Sequence, residues 1–415
     1  MLRAPDGPGR RTQPVRNSFR SIVGGCPYAA PVQTIDIFSG AGGLSLGLIE
    51  AGFDVRHAIE WDRDSAATYR LAHQRTKVQE CDIAQVDFGQ YKGEIEVVAG
   101  GPPCQPWSDG GHRLGEDDPR DGLPHYLRAV REIRPKAFIM ENVSGLARGG
   151  HSSHLNTYLE AFRELEYTVS YQVLAAADYG VPQSRRRLFV VGIRDKEFTW
   201  PAPTHSAGSV KAGDVLSAEQ VIGEPNTSKV TYAKKPHIRP SRYDGLLFNG
   251  GGRPIDLDNV APTMLASMGG NKTPWIDTAG VLSAYHAHLL SGAAPKTGTV
   301  PGARRITVEE AALLQTFPPD MKFQGRRSSQ YRQVGNAVPP RLAAAVGRAL
   351  LKCLRDQPSQ PPSPTSQAGP QNLQQERHTA VYGQGGSGGG EVPQDGSALS
   401  DAQSSTGSRG AHQGC

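Results

Sequence analysis

Long apolar runs are missing from this chain. No stretch reaches the roughly 18 apolar residues that a membrane-crossing helix needs. The basic N-terminus, MLRAPDGPGRRTQPVRNSFR, lacks the apolar segment of a secretory signal peptide, so we expect a cytosolic protein. Cysteine is scarce, with five residues and no CxxC spacing: Cys26, Cys81, Cys104, Cys353 and Cys415. This pattern argues against a disulfide framework and against structural zinc, and we expect no bound metal.

Large apolar residues are also scarce at both ends of the chain. We therefore expect a flexible basic arm over residues 1–31 and a disordered tail, rich in Pro, Gly, Ser and Gln, over residues 356–415. Charge of one sign is in small excess, since the formal net charge is +5. That excess fits a polyanionic partner without requiring one.

Short apolar runs alternate with helical patterns between these ends. TIDIF, VRHAIEW, EIEVVAGG, AFIMENV and RLFVVGIR have the composition of buried strands. Such alternation predicts an α/β fold with a doubly wound, Rossmann-like parallel sheet that helices cover on both faces. The pattern stops over residues 195–303, where we predict a small, irregular, β-rich domain. It resumes over residues 304–355, which complete the domain begun by residues 32–194.

A glycine-rich turn follows the first predicted strand. Gly40, Gly42 and Gly43 stand where an anionic ligand can approach bare backbone at a helix N-terminus. A dinucleotide fingerprint would need glycine at Ser45, which disfavours an NAD-dependent dehydrogenase. Glu60 ends the next apolar run, where a carboxylate can accept hydrogen bonds from ribose hydroxyls.

Three residues near the next two strand ends suit an adenine ring. Trp61 offers a stacking face, and Asp82 with Ile83 suits an exocyclic amine and an apolar ring edge. Together with Glu60 they predict an adenosine site. Taken singly, Trp61 fits a core aromatic and Asp82 fits a turn cap equally well.

One thiol stands between prolines in GGPPCQPWS. Cys104 follows a predicted strand, at the carboxyl edge where ligands bind in open α/β sheets. A cysteine that only packs belongs inside a strand or helix, whereas this segment is stiff and extended. The sequence therefore predicts a nucleophile at Cys104.

The partners for such a nucleophile lie further along the chain. Glu141, with Asn142 beside it, ends the strand AFIMENV, and Arg185 and Arg187 are alternate residues entering the strand RLFVVGIR. A thiolate, a carboxyl group and paired guanidinium groups can attack and polarise an electrophilic ring. The alternatives are a strand-end cap for Glu141 and a solvated basic edge for the two arginines.

Eight motifs in order resemble those of the bacterial DNA cytosine-5 methyltransferases, typically found in type II restriction-modification systems. They are DIFSGAGGLSLG, EWD, CDI, GGPPCQPWS, ENV, QSRRRLFVVG, RRITVEEAALLQTFP and QYRQVGNAVPP. The resemblance covers approximately residues 33–353. It implies methyl transfer from S-adenosylmethionine to carbon 5 of a cytosine in a specific double-stranded DNA sequence.

The resemblance also implies catalytic roles. Cys104 would attack carbon 6 of a flipped-out cytosine, and Glu141 would protonate or hydrogen-bond ring nitrogen 3. Arg187, helped by Arg185, would contact the base carbonyl oxygen. The thiolate has to be activated by its surroundings, because free cysteine titrates near ~8.5.

The resemblance further implies which residues bind the cofactor and which contact DNA. The cofactor residues are Phe38, Gly40, Gly42, Leu44, Glu60, Trp61, Asp82, Ile83, Asn336 and Ala337. The implied DNA contacts are Gln183, Thr263 and Met264, and a loop over residues 108–124 would cover the flipped base. Gly110 and Gly111 carry no side chain. The insertion of a side chain of this loop into the space that the flipped base leaves is therefore in doubt.

We therefore expect a monomeric cytoplasmic enzyme that associates with the nucleoid through DNA and is paired functionally with a restriction endonuclease. Two alternatives remain at this point. One is a tRNA cytosine-5 methyltransferase of the same fold, and the other is a non-catalytic DNA-binding regulator. The regulator would have lost its nucleophile or its acid, whereas this chain keeps both.

Overall fold

The structure is a computed structural model that describes residues 30–103, 121–149, 152–206, 208–236 and 252–356. Cys104, most of the 108–124 loop, nearly all of the basic arm and the tail after Asp356 lie outside the described residues. Within the described part, no helix is both long enough and apolar enough to cross a membrane.

The core is one seven-stranded sheet in the order β3-β2-β1-β4-β5-β7-β6. Its strands are β1 (Val32–Ile37), β2 (Phe53–Glu60), β3 (Lys77–Glu80), β4 (Val97–Gly100), β5 (Ala137–Val143), β6 (Thr168–Ala175) and β7 (Arg186–Ile193). The chain order reverses between β1 and β4, which pair in parallel. A doubly wound sheet opens a ligand-binding crevice at such a reversal. The glycine turn follows β1, and Pro102 and Pro103 follow β4.

The predicted all-parallel sheet is wrong at one strand. β7 runs antiparallel to both β5 and β6. Only residues 176–185 connect β6 to β7, and a parallel crossover needs a dozen or more residues. The reversal matters for the site, because it brings the start of β7 to the same edge as the end of β5. In a parallel arrangement, Arg185 and Arg187 would lie at the opposite edge.

Helices cover both faces of the sheet, as predicted. α1 (Gly43–Ala51) and α8 (Pro340–Arg355) pack on one face, and α3 (Leu123–Ile133) and α4 (Ser152–Glu164) pack on the other. α1 and α8 approach closely because Gly47 has no side chain; a Cβ there would lie 2.4 Å from the Pro340 carbonyl oxygen. α2 (Arg63–Ala72) follows β2 and contacts β3.

The segment after β7 is irregular, as predicted. Its described strands are β8 (Pro254–Ile255), β9 (Trp275–Asp277) and β10 (Ala303–Arg305), and they form one small sheet in the order β10-β9-β8. β10 crosses the proposed boundary at residue 303. The helix α5 (Val281–Leu290) was not predicted.

The chain then returns to the core through α6 (Val308–Leu314), α7 (Arg327–Asn336) and α8. A third apolar cluster joins this return segment to the irregular region, through Met264, Ile276, Ile306, Leu314 and Val334. The two predicted domains therefore share buried side chains.

Candidate active site

The glycine turn after β1 has the backbone conformation that glycine favours. Phe38, Gly40 and Gly42 have φ values of 56°, 55° and 86°. A Cβ on Gly42 would lie 2.2 Å from Nε2 of His73, whereas a Cβ on Gly40 would have no heavy atom within 4 Å. The turn is therefore closely packed beneath Gly42 and open at Gly40, as a ligand that approaches the backbone requires.

Glu60 holds the turn in place. Its Oε2 accepts a hydrogen bond from the Gly40 N–H at 2.7 Å, and its Oε1 accepts one from the Asp62 N–H at 2.8 Å. Burial raises the pKa of this carboxyl group, and the two backbone donors partly offset that effect. Each oxygen keeps a further lone pair with which it can accept another hydrogen bond. The contact with ribose hydroxyls stays a prediction.

The predicted adenine residues are placed differently from one another. Trp61 is 78% exposed, so the core-aromatic alternative is wrong. Asp82 accepts a hydrogen bond from the Ala84 N–H at 2.9 Å, which is the turn cap that the alternative predicted. Ile83 is half-buried beside it, and Leu44 lies in the core on the α1 face of the sheet. Their contacts with a cofactor stay predictions.

The return segment closes on the glycine turn. α7 ends at Asn336, which is exposed, and Ala337 follows it. A Cβ on Gly43 would lie 3.3 Å from the Cβ of Ala337 and 2.4 Å from the Val338 carbonyl oxygen. The tertiary structure thus brings residues about three hundred positions apart in the sequence to the first turn of α1.

A buried polar chain beneath the turn was missed by the sequence analysis. The Ser45 hydroxyl donates to Oδ2 of Asp36 at 2.5 Å, and the Tyr69 hydroxyl donates to Ser45 Oγ at 2.6 Å. Oδ1 of Asp36 has no partner among the described residues. Burial, helped by the nearby Glu60 charge, raises the pKa of Asp36 to about 7. The available signal was Ser45 itself, which replaces the third glycine of the dinucleotide pattern.

The neighbouring histidine stays neutral. The His73 ring stacks on Tyr69, with centroids 4.2 Å apart, and its Nε2 lies 3.2 Å from the Gly42 carbonyl oxygen. Burial lowers the pKa of His73 to about 4. Tyr69 and His73 beneath Gly42 therefore carry no charge at neutral pH, and the Asp36 carboxyl is near its titration point.

The sheet edge where β5 ends and β7 begins, here called the candidate catalytic edge, contains a buried ion pair. In the antiparallel pairing of β7 with β5, Arg187 lies opposite Val143, which is two residues after Glu141. The Nε of Arg187 lies 2.8 Å from Oε1 of Glu141. The two opposite charges are therefore in direct contact. Burial raises the pKa of Glu141, and the Arg187 and Arg185 charges partly offset that effect.

Arg185 is fully buried. Its Nη1 donates to the Met264 carbonyl at 2.9 Å, and its Nη2 donates to the carbonyls of Gly335 and Ala337 at 2.9 Å and 2.8 Å. This guanidinium ties the irregular region to the return segment, an arrangement that the sequence analysis did not predict. The solvated-edge alternative is wrong for Arg185.

The predicted DNA-contact residues lie near the buried Arg185 guanidinium. Gln183 and Met264 are fully buried, and the Met264 N–H donates to Gln183 Oε1 at 2.8 Å. Thr263 is partly exposed, and its hydroxyl donates to the Ser184 carbonyl at 2.7 Å. Of the three, Thr263 alone presents its side chain near a surface, and direct DNA contact stays a prediction for all three.

The described residues that precede Cys104 are anchored by two hydrogen bonds. Asn142 Nδ2 donates to the Pro102 carbonyl at 3.0 Å, and the Gly122 N–H donates to the Pro103 carbonyl at 2.9 Å. A Cβ on Gly101 would lie 3.1 Å from Glu141 Oε2. The backbone leading to Cys104 therefore runs against the Glu141 carboxyl group.

The comparisons with known proteins identify the family. Residues 32–352 match the family described as C-5 cytosine-specific DNA methylase. The chain is 34% identical over 373 residues to the type II methyltransferase M.XorII of Xanthomonas oryzae pv. oryzae, covering 79% of this chain and 86% of that protein. It is 33% identical over 336 residues to the type II methyltransferase M.NgoPII of Neisseria gonorrhoeae, covering 78% and 96%.

Solved structures share the fold at lower identity. A putative DNA modification methyltransferase from an Escherichia coli prophage superposes with a TM-score of 0.55 at 24% identity, covering 78% of this chain and all of that one. The Dnmt2 methyltransferase of S. pombe superposes with a TM-score of 0.57 at 15% identity, with the same coverage. The dehydrogenase alternative is thus wrong, and the Rossmann-like methyltransferase core is confirmed. The chain belongs to the C-5 cytosine-specific DNA methylase family and is a DNA (cytosine-5-)-methyltransferase.

Proposed function

We propose that this enzyme methylates carbon 5 of one cytosine within a specific double-stranded DNA sequence, through a covalent Cys104 adduct to a flipped-out base. The observation that carries the proposal is the buried Glu141–Arg187 pair at the sheet edge beside Pro102 and Pro103. Burial raises the pKa of the Glu141 carboxyl group and so favours its protonated form, the form that can deliver a proton to a ring nitrogen.

The cofactor half of the site fits S-adenosylmethionine. The turn is open at Gly40, Trp61 is exposed beside it, and Glu60 lies beneath. When bound, this cofactor supplies an electrophilic methyl group. Phe38, Gly40, Gly42 and Glu60 would hold its ribose and amino acid ends, and Trp61, Asp82 and Ile83 its adenine, with Asn336 and Ala337 closing the pocket.

Each catalytic side chain has a defined step. The Cys104 thiolate adds to carbon 6 of cytosine while Glu141 gives a proton to nitrogen 3, so that carbon 5 becomes nucleophilic. Arg187 stabilises the charge that builds on the base carbonyl oxygen. Once carbon 5 has gained the methyl group, with S-adenosylhomocysteine as the leaving group, a solvent base takes the carbon 5 proton and the Cys104 sulfur leaves as a thiolate. Nitrogen 3 then returns its proton to Glu141. Arg185 supports this edge through backbone carbonyls.

The base has to leave the duplex, because carbon 6 cannot be reached inside the stack. We propose that residues 195–303 read the DNA sequence, and that the methyl mark protects host DNA from a cognate restriction endonuclease. The names of the sequence relatives, type II methyltransferases, support this role over a tRNA substrate.

A covalent trap tests the chemistry. Duplex DNA containing 5-fluorocytosine cannot lose a proton from carbon 5, so the enzyme with S-adenosylmethionine should stay linked to it through residue 104. Cys104→Ser should form no adduct and transfer no methyl group, yet bind the cofactor nearly as the unaltered enzyme does. Full turnover by that variant would overturn the Cys104 mechanism.

The substrate needs a separate assay. Incorporation of labelled methyl into duplex DNA but not into tRNA would support the DNA assignment, and the reverse result would favour the tRNA alternative. Bisulfite sequencing of DNA from an expressing host would identify the methylated cytosine and its context. Absence of methylation in both substrates, with DNA binding retained, would favour the regulator alternative.

A further inference from the structure

Helix α3 lies between the two halves of the proposed site and carries an arginine with no role so far. Nη2 of Arg128 donates to the Ile83 carbonyl at 2.7 Å, and Nη1 donates to the Val86 carbonyl at 2.8 Å. These carbonyls belong to the turn that follows Asp82. One guanidinium therefore clamps the segment proposed to contact adenine.

A second contact from the same helix fixes the far end of this segment. Glu132, one turn after Arg128, accepts a hydrogen bond from the Phe88 N–H at 3.2 Å. The Arg128 guanidinium carbon lies 4.6 Å from the centroid of the buried Phe88 ring. Arg128 and Glu132 also pair with each other at 3.5 Å. Residues 82–88, here called the adenine wall, thus rest on two side chains of α3.

The other face of α3 is tied to the candidate catalytic edge. The Tyr126 hydroxyl lies 3.1 Å from the Val98 carbonyl of β4 and 2.7 Å from the Ile139 carbonyl of β5. Gly122, at the helix start, donates to the Pro103 carbonyl. The helix therefore has little freedom to shift relative to the strands that end near Glu141.

We propose that Arg128 is a positioning residue for the methyl donor, because it holds the adenine wall at a set place relative to the candidate catalytic edge. It acts through the Ile83 and Val86 carbonyls. This inference rests on the proposed function, since it assigns residues 82–88 to the adenine end of the cofactor site. Removing the clamp should weaken binding of any ligand that carries the adenosine group.

Calorimetric titration of the full-length protein with S-adenosylmethionine and with S-adenosylhomocysteine tests the proposal. Arg128→Met should raise Kd roughly tenfold for both compounds, a fraction of what two hydrogen bonds from a charged donor contribute, because these bonds reach the adenine wall and not the ligand. Arg128→Lys should lose nearly as much, because an ammonium group cannot span both carbonyls as the guanidinium fork does. Kd for duplex DNA and kcat at saturating donor should stay within about twofold of the unaltered enzyme.

Arg131→Met is the matched control, since Arg131 is exposed on the same helix. A lower Tm for Arg128→Met with unchanged Kd for both compounds would assign Arg128 a purely structural role and overturn the inference alone. A loss confined to S-adenosylmethionine would overturn it as well, because the adenosine group is common to both ligands. If the unaltered protein bound neither compound, the proposed function would fail together with the inference.

Discussion

Nε of Arg187 lies 2.8 Å from Oε1 of Glu141, across the antiparallel pairing of β7 with β5. Both side chains are largely removed from solvent, with 14% and 9% of their surface exposed. Burial raises the pKa of Glu141, while the Arg187 charge limits the rise. The pair thus places a carboxyl group, whose protonated form is favoured by burial, beside a fixed cation.

Replacing Glu141 by glutamine should remove the proton donor while keeping the side chain's shape. We expect kcat to fall by roughly 10²–10⁴, the usual contribution of general acid–base catalysis, with Kd for S-adenosylmethionine nearly unchanged. Single-turnover transfer of labelled methyl to duplex DNA measures the effect. Glu160→Gln, on the exposed surface of α4, is the control. A variant that kept a tenth of the original rate would contradict the assigned role.

Gly40 and Gly42 should differ in how well each tolerates replacement by alanine. Both have positive φ, so each alanine variant carries a backbone penalty of about 1 kcal/mol. Gly42→Ala must also displace the buried His73 ring, whereas the space at Gly40 is open. Urea unfolding of the cofactor-free protein should show Gly42→Ala losing at least ~2 kcal/mol more than Gly40→Ala, as overpacking predicts. Equal losses would mean that the His73 ring can move aside at little cost in the free energy of unfolding.

Asp36 should make stability depend on pH. Folding raises its pKa to about 7, whereas in the unfolded chain an aspartate ionises near ~3.9. The folded state therefore binds more protons between these values, and the contribution of Asp36 to the free energy of unfolding falls as pH rises through that window.

Comparison with Asp36→Asn isolates this contribution, because His73 and the other buried groups titrate in both proteins. The free energy of unfolding of the unaltered protein minus that of the variant should fall by up to ~1.4 kcal/mol per pH unit below about pH 7, then level off. Asp258→Asn, at an exposed carboxylate, should show no such trend. A difference that did not vary with pH would show that Asp36 is already ionised.

Arg185 should matter for stability more than its neighbour does. Arg185→Met removes a buried guanidinium that donates to the Met264 and Gly335 carbonyls, and it leaves the Ala337 carbonyl with only the longer hydrogen bond from Gln315 Nε2 among the described residues. We expect a loss of about 3–5 kcal/mol in the free energy of unfolding, as for breaking a buried charged network. Arg186→Met, on the exposed side of β7, should cost under about 1 kcal/mol. Comparable losses for the two variants would argue against a stabilising role for the Arg185 hydrogen bonds.

Much of the site could be predicted from the sequence, because its residues follow strand ends. The carboxyl ends of β1, β4 and β5 carry the glycine turn, the approach to Cys104, and Glu141, and each strand is a short apolar run that composition alone reveals. Local chemistry also indicated the turn, since Gly40 and Gly42 have the positive φ that glycine favours. The family resemblance, carried by eight ordered motifs, is confirmed.

The tertiary structure decided what depends on distant partners. Nothing local in RLFVVGIR indicates that β7 runs antiparallel, yet that direction alone brings Arg187 to Glu141. The same holds for Arg185, whose bonds reach residues up to 152 positions away, and for Arg128, whose bonds reach back to Ile83 and Val86. Sequence periodicity records which face of an element is apolar. The direction of β7 follows from the short connection after β6 once both strands are placed, and the partners of a buried charge depend on desolvation in the folded molecule.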